Sequence, residues 1–171
     1  ASIYHPHYQI IAIPVVPPDI SHSLDGSAQF YQKNKKCVHC VMIDWEKKYK
    51  KRIIYENKGA IVFTPFVSRE PFELRVFPKK HLPYFESASS DELRSIVDAL
   101  QAALIKVERR LKDPDYNFFI HTSPVKNKKK YGHYHWHIEI LPKTAIWAGF
   151  ELGTGIEICS VKPEDAAKHL R

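Results

Sequence analysis

No stretch of this sequence comes near the roughly 18–20 consecutive apolar residues that a membrane-spanning helix needs, so no membrane partner is expected. Cysteine is scarce, with three residues in 171, which excludes a fold held together by disulfide bonds. The first residues lack the basic start of a secretory signal, so we expect none. These absences favour a reducing, cytoplasmic environment.

The composition is that of an ordered protein with one hydrophobic core. The apolar fraction is 44% and the charged fraction 26%, and 171 residues suffice for one core but not for two. The net charge of +7 suits anionic ligands. No regular basic face with interleaved aromatic residues is present, so the sequence predicts no nucleic-acid partner.

The patterning predicts an α+β fold in which one long helix packs on an antiparallel sheet. A capping box at Ser89 and Glu92 opens that helix, and apolar residues then recur at helical spacing. A further helix is predicted from Pro163. Residues 17–36, rich in Ser, Asp, Gly and Lys, are predicted to form a connection. β-Branched or alternating segments predict strands at 52–56, 60–64, 72–77, 116–122 and 133–141.

Two histidine clusters share one pattern. His5-Pro6-His7-Tyr8-Gln9 lies in a segment, 3–16, that is predicted to be extended, and the second cluster is His133-Tyr134-His135-Trp136-His137. On a strand, each cluster would project three polar groups from one face. Each first histidine lies nine residues before a proline, which indicates an internal duplication. We therefore predict the second half of a two-repeat fold: residues 1–16 form the last strand of a largely missing first half, residues 17–36 connect the halves, and residues 37–171 form the second half.

Four motifs resemble the galactose-1-phosphate uridylyltransferase family of the histidine triad superfamily, which has ADP-glucose phosphorylase among its close relatives. They follow the family's order: His5-Pro6-His7-Tyr8-Gln9, Cys37-x-x-Cys40, Pro78-x-x-His81, and the segment 149–155. The resemblance implies a histidine-triad-like fold and a nucleotidyltransferase that moves a nucleotide from UDP-glucose, or another nucleoside diphosphate sugar, to hexose 1-phosphate. An ADP-glucose phosphorylase, with inorganic phosphate as acceptor, is the alternative that the sequence does not separate.

The resemblance assigns roles to four of these residues and implies a homodimer. His7 would be the nucleophile that forms a nucleotidyl-histidine, and Gln9 would donate a neutral hydrogen bond to a phosphate oxygen. Phe150 and Glu151 would contact the hexose, on a loop that reaches into the partner's active site. The residues that select base and sugar would lie upstream, so we expect this piece alone to lack much of the nucleotide pocket.

The same resemblance implies two metal sites. His5 would be a ligand in the first half. Cys37, Cys40 and His81 would hold a metal in the second half, together with His133, which the repeat selects, or with His135. Zinc is expected because two ligands are thiolates, with iron as the alternative.

The second cluster also supports a rival interpretation. Taken alone, His133, His135 and His137 spell the triad of nucleotide hydrolases, in which His135 would be the nucleophile. Glu139 continues the same alternation and could coordinate a metal as well.

Overall fold

The predicted α+β class is confirmed by a computed structural model, which describes residues 7–11 and 13–171. None of the described helices is long and apolar enough to span a bilayer. The helices are α1 (Pro18–Asn34), α2 (Val38–Tyr49), α3 (Ser90–Leu111), α4 (Gly149–Thr154) and α5 (Pro163–Leu170). The strands are β1 (Ile53–Glu56), β2 (Ala60–Phe63), β3 (Leu74–Pro78), β4 (Tyr116–His121) and β5 (His137–Pro142), and short 3-10 turns lie at Phe85–Ser87 and Lys128–Tyr131.

The strands form one antiparallel sheet in the order β1-β2-β3-β5-β4. Helices α3 and α5 cover one face of this sheet, where Val62, Val76 and Ile138 belong to the main hydrophobic core. On the other face, Ile43 of α2 packs in a smaller core with strand residues such as Phe77. The sheet therefore separates the helix pair α3 and α5 from α2.

Helix α3 begins at the predicted capping box and buries apolar residues at the predicted helical spacing. The Ser89 hydroxyl accepts a hydrogen bond from the Glu92 amide at 3.3 Å, and the Glu92 carboxylate accepts one from the Ser89 amide at 2.7 Å. This pair satisfies two of the backbone donors that a helix leaves free at its start. The buried face of the helix consists of Ile96, Ala99, Ala103 and Val107. The predicted strands at 52–56 and 60–64, which pair as the hairpin of β1 and β2, and the predicted terminal helix from Pro163 are also confirmed.

Most of residues 17–36, which were predicted to be a connection, form the helix α1, and the sequence analysis did not identify that helix. Pro18 occupies the first turn, where a missing N–H costs no hydrogen bond. Leu24 and Ser27, three residues apart, are buried, and Asp25 and Gly26 between them are exposed. The polar residues that made this segment resemble a loop are also the residues expected on the solvent-exposed face of a helix.

The prediction of a strand from residue 133 was also wrong, because β5 begins only at His137. The amide of Tyr134 donates to the carbonyl of Tyr131 at 2.9 Å, and that of Trp136 donates to the carbonyl of Leu82 at 2.9 Å. The chain is therefore held by a turn and a loop before it joins the sheet. The three histidines do not share one strand face: His135 and His137 are buried, and His133 is only half-buried.

Two other segments differ from the expectation. Residues 7–11 and 13–17 belong to no strand in the described part of the chain, and the apolar side chains of Ile10 and Ile13 are exposed. The predicted loop at 149–155 contains the short helix α4. His5 lies outside the described residues.

Candidate metal centre and active site

Cys37 and Cys40 lie at the amino end of α2, with Cys37 as the residue that caps the helix and Cys40 three positions later. Free N–H groups and the positive end of the helix dipole favour a thiolate at this place. Contact with Cys40 lowers the pKa of the Cys37 thiol, and the same contact raises the pKa of Cys40. The two sulfurs therefore lie close enough to interact directly at the start of the helix.

Two histidines complete this group from other parts of the fold. Nδ1 of His81 lies 3.4 Å from the sulfur of Cys40, and Nδ1 of His135 lies 3.5 Å from the same sulfur. Their Nε2 atoms lie 2.9 Å from the carbonyl oxygens of Gly132 and Pro78. Because each carbonyl accepts an N–H from Nε2, both Nδ1 atoms keep a free lone pair.

The ligand atoms of Cys37, Cys40, His81 and His135 all lie within 4.8 Å of one another. Two sulfurs and two imidazole nitrogens at this distance fit the tetrahedral site that zinc prefers, and the carbonyls supply the outer hydrogen bonds such sites need. The structure brings together three of the predicted ligands and the alternative histidine, His135. His133 lies outside the group, and its ring is near Tyr31 instead, at 6.1 Å between centroids.

A second group of metal-binding residues lies beside the first. His121, His137 and Glu139 are all buried, and their ligand atoms also lie within 4.8 Å of one another. Strand register explains the arrangement, because His121 pairs with His137 across β4 and β5, and Arg75 of β3 pairs with Glu139.

The atoms of this second group are incompletely satisfied. Nδ1 of His137 lies 3.2 Å from the carbonyl of His135, which accepts its N–H, so Nε2 of His137 turns a lone pair toward the carboxylate of Glu139 at 3.4 Å. Nε2 of His121 and Oε2 of Glu139 are buried and lie 3.5 Å from each other, and neither forms a regular hydrogen bond with any described residue. Acceptors that face one another need a shared proton or a cation, and two histidines with one carboxylate are a common ligand set for zinc or iron.

Charge around Glu139 is balanced on one side by Arg75, whose guanidinium lies 3.1 Å from Oε1. Burial opposes ionisation of Glu139, but the neighbouring histidines and Arg75 outweigh it and lower the pKa of this carboxyl. Burial lowers the pKa of His137 to about 3, so its ring is neutral. Arg75 also binds the buried Glu73 at 2.9 Å. The group thus contains a charged carboxylate, Glu139, and a neutral imidazole, His137, as metal binding requires.

The other predicted site residues lie on exposed surface. His7 and Gln9 are exposed and make no hydrogen bond or ion pair with any described residue. Phe150 is 52% exposed on α4. Glu151 is half-buried, and its carboxylate accepts the amide of Ala148 at 3.1 Å. The structure does not bring these four residues together with either metal-binding group.

Sequence reasoning missed three residues of this region. His121 and Arg75 carry no local motif, and only the pairing of their strands with β5 would have revealed them. His39 lies between the two cysteines and is buried, and the only sequence signal for its burial is the apolar Ile43 four residues later, at helical spacing.

Comparison with known proteins places these observations in a family. The family model described as "Domain of unknown function (DUF4921)" matches residues 1–170. ADP-glucose phosphorylase of Arabidopsis thaliana is 37% identical over 172 residues, which cover 100% of this chain and 48% of that protein. Its structure with bound ADP-glucose gives a TM-score of 0.83 at 36% identity, over 93% of this chain and 50% of that one.

Galactose-1-phosphate uridylyltransferase of Thermotoga maritima is 28% identical over 178 residues, covering 100% of this chain and 55% of the enzyme. A Zn-bound histidine triad family protein from Mycobacterium smegmatis shares only the fold, with a TM-score of 0.56 at 16% identity over 79% of this chain and 90% of that one. The chain therefore spans about half the length of the curated relatives it matches.

Proposed function

This chain belongs to the DUF4921 family and is homologous to uridylyltransferases and ADP-glucose phosphorylase, and on that premise we propose that it is part of a nucleotidyltransferase that acts on nucleoside diphosphate sugars. The observation that carries the proposal is similarity to both enzymes along the whole chain, combined with His-Pro-His-x-Gln at residues 5–9. Because the chain spans half of these relatives, the proposal concerns the protein in its full native length.

In the proposed reaction His7 is the nucleophile. A neutral ring nitrogen attacks the α-phosphorus, the bond between that phosphorus and the bridging oxygen breaks, and sugar 1-phosphate leaves. The oxygen of an acceptor phosphate then attacks the same phosphorus and breaks the phosphorus–nitrogen bond. Gln9 donates a hydrogen bond to a phosphate oxygen and, because an amide does not titrate, offers no proton to water. The exposure of His7 leaves its ring open to a substrate.

The acceptor separates two candidates. With hexose 1-phosphate as acceptor, the protein is a galactose-1-phosphate uridylyltransferase, and with inorganic phosphate it is an ADP-glucose phosphorylase. Identity of 37% to the phosphorylase against 28% to the uridylyltransferase favours the second candidate. Supplying each donor with each acceptor, and measuring the sugar nucleotide or nucleoside diphosphate formed, distinguishes them.

We propose zinc as the metal held by Cys37, Cys40, His81 and His135, with His5 as a ligand of another site toward the first half. A closed site with four protein ligands has a structural role, and here it would fasten the start of α2 to the loop before β5. Two thiolates favour zinc over iron. His121, His137 and Glu139 form the candidate for a second cation.

Phe150 and Glu151 are proposed to contact the hexose in a homodimer with shared sites. Support comes from the surface around them, because Ile146, Phe150 and Leu152 are 95%, 52% and 71% exposed. Apolar side chains grouped in this way are typical of a surface that another molecule covers.

The decisive experiment on the nucleophile is a trapping assay in the native-length protein. Donor sugar nucleotide labelled at the α-phosphate is mixed with the protein without acceptor, and the modified peptide is mapped by mass spectrometry. We expect label on the peptide that contains His7, and none in the variant His7→Gln. The matched control is His22→Gln, an exposed histidine on α1 that should leave labelling intact. Label that persists in His7→Gln, or that maps to His135, contradicts the proposal.

The metal proposal is tested by metal analysis of purified variants. The parent should contain zinc, and Cys40→Ser should lose one ion per chain while Cys159→Ser retains it. His121→Gln should lose only the second cation and keep the zinc. Equal zinc in the parent and in Cys40→Ser contradicts the assignment.

A further inference from the structure

Three segments that are rich in lysine each lead into a residue of the candidate zinc group. They are residues 35–37, 79–81 and 126–135. The ligand atoms of that group lie within 4.8 Å of one another, and consecutive Cα atoms are about 3.8 Å apart, so the fold brings the three segments to one place. Nε2 of His81 lies 2.9 Å from the carbonyl oxygen of Gly132, which joins two of the segments directly.

Most of the lysine side chains at this place carry charge that no acidic group balances. The exposed lysines that form no ion pair with any described residue are Lys35, Lys36, Lys126, Lys129 and Lys130. The other lysines of the three segments are paired, and these pairs are Lys79–Glu56 at 3.3 Å, Lys80–Glu92 at 2.8 Å and Lys128–Glu86 at 2.6 Å. Residues 31–37 and 126–135 contain no acidic side chain. Charge of one sign gathered in this way attracts an anionic ligand.

Aromatic rings lie among these unpaired lysines. Tyr31, in the last turn of α1, is 42% exposed, and its ring centroid is 6.1 Å from that of His133. The ring of His133 is also 6.5 Å from that of Tyr131, and Nζ of Lys130 lies 5.6 Å from the centroid of Tyr131. The carbonyl of Tyr31 accepts the amide of Lys35 at 2.8 Å, so the end of α1 carries both a ring and a lysine.

Rings and ammonium groups on one surface favour single-stranded nucleic acid over other anions. The ammonium groups attract the phosphates of the backbone, and the exposed rings stack on unpaired bases. An acidic peptide would use the lysines but leave the rings without a partner. The lysines and rings come from segments far apart in the chain, which explains why the sequence alone predicted no nucleic-acid partner.

We propose that residues 31–36 and 126–133, which we call the lysine-rich surface, bind single-stranded nucleic acid. This binding goes beyond the nucleotidyl transfer proposed above and does not depend on it. It also gives a role to His133, which lies outside the candidate zinc group and contributes a ring between Tyr31 and Tyr131.

The test measures fluorescence anisotropy of a short labelled oligouridylate with the native-length protein, between about 50 and 200 mM salt. The variant Lys36→Gln/Lys129→Gln/Lys130→Gln removes three positive charges from the lysine-rich surface. The matched control, Lys47→Gln/Lys162→Gln/Lys168→Gln, removes the same charge from exposed lysines at the end of α2 and in or beside α5. Circular dichroism and zinc content establish that each variant is folded and retains its metal.

We expect the parent to bind the oligouridylate with an affinity that falls steeply as salt is added. The surface variant should lower the slope of log affinity against log salt by about 2, since each phosphate contact of a single strand contributes about 0.7. The control variant should match the parent, because net charge is the same in both variants and only position differs.

The contribution of the rings is measured separately at Tyr31, which also serves if the triple variant does not fold. Tyr31→Leu removes a stacking surface and should weaken binding by about 10-fold. Tyr31→Phe keeps the ring and should bind like the parent. Neither variant should change the salt slope, because neither removes a charge.

Four results overturn the inference. The first is no binding by the parent at low salt, and the second is equal weakening in the surface and control variants, which would indicate an effect of net charge alone. The third is displacement of the oligouridylate by UDP-glucose or ADP-glucose, which would place it in the active site. The fourth is displacement by polyglutamate as readily as by unlabelled RNA, which would indicate an acidic protein segment as partner. Labelling of His7 is a separate measurement that none of these results changes.

Discussion

Replacement of Arg52 by methionine should destabilise the fold by about 3–5 kcal/mol at neutral pH, because it leaves a buried carboxylate without its counter-charge. Arg52 and Glu46 are 7% and 3% exposed, and Nε and Nη2 of Arg52 lie 3.0 and 2.6 Å from one oxygen of Glu46. The remaining nitrogen of Arg52 binds Glu164. The guanidinium thus joins α2, which begins with the cysteine pair, to α5.

The loss of stability in Arg52→Met should depend on pH, and the pKa values of Glu46 and Glu164 determine how it changes. Burial raises the pKa of Glu46 even with Arg52 present, so without Arg52 this pKa should rise further. A carboxyl with a raised folded-state pKa costs stability at neutral pH, and the cost disappears as pH falls below its ordinary value of about 4.3. The hydrogen bond from Arg52 lowers the pKa of Glu164, and the resulting stabilisation is likewise lost as pH falls. Both effects make the difference between parent and variant greatest near neutrality and smaller toward pH 4.

Urea unfolding followed by circular dichroism at several pH values, with zinc in excess, measures this difference. The double variant Arg52→Met/Glu46→Leu should recover much of the loss, because it removes the stranded charge as well. Arg94→Met, which breaks an exposed ion pair with Asp91, should change stability by less than about 1 kcal/mol. A loss below about 1 kcal/mol for Arg52→Met, or a loss independent of pH, would refute the reasoning.

Three further substitutions have outcomes that urea unfolding can check. Gly59→Ala places a Cβ 2.7 Å from Oγ and 2.8 Å from Cβ of Ser95, so this substitution should destabilise the fold by about 1–3 kcal/mol. The same loss should persist in a Ser95→Ala background, because the Cβ of residue 95 remains. Ser89→Ala removes the helix cap and should cost about 1 kcal/mol, whereas Ser90→Ala should be nearly neutral. Leu74→Ala empties a fully buried position and should cost about 2–5 kcal/mol, and a loss below that of Ser89→Ala would contradict the packing argument.

The parts of the fold that sequence predicted correctly are those decided by neighbouring residues. The capping box at Ser89 and the turn at Asn57 act within a few residues, so α3 and the β1–β2 hairpin could be read directly. Helix α1 was missed because its stability depends on burial of Leu24 against the rest of the protein rather than on its composition. Propensity alone cannot show which face of a polar segment is covered.

In the candidate site, too, the features set by neighbouring residues could be predicted and those set by distant segments could not. The spacing of Cys37 and Cys40 is local and indicated a metal knuckle. The choice between His133 and His135 is not local, because it depends on where β5 begins, and the hydrogen bond from Trp136 to Leu82 delays that start. Residues such as His121 reach the site through strand pairing between distant segments, which no spacing in the sequence encodes.

The placement of His135 also changes how the two histidine clusters correspond. The repeat pattern equated His133 with His5 as metal ligand. If His135 is the ligand instead, then His137 occupies the position of His7, and Glu139 that of Gln9, since each pair is two residues further on. The motif of the second copy would then be His-x-His-x-Glu and would begin at His135. This start lies two residues after His133, which the equal spacing to the prolines had selected.

In that register the second copy is unsuited to nucleophilic attack on phosphorus. His137 is 2% exposed, and its free nitrogen faces the negative carboxylate of Glu139, which would repel a phosphate. His135 is fully buried, with one nitrogen bonded to a carbonyl and the other directed at Cys40. His7 lies on exposed chain and opposite no carboxylate among the described residues. A phosphoryl group is negatively charged, and bringing it to a buried histidine would bury that charge. Of these three histidines, His7 is therefore the only one that such a substrate can approach without this cost.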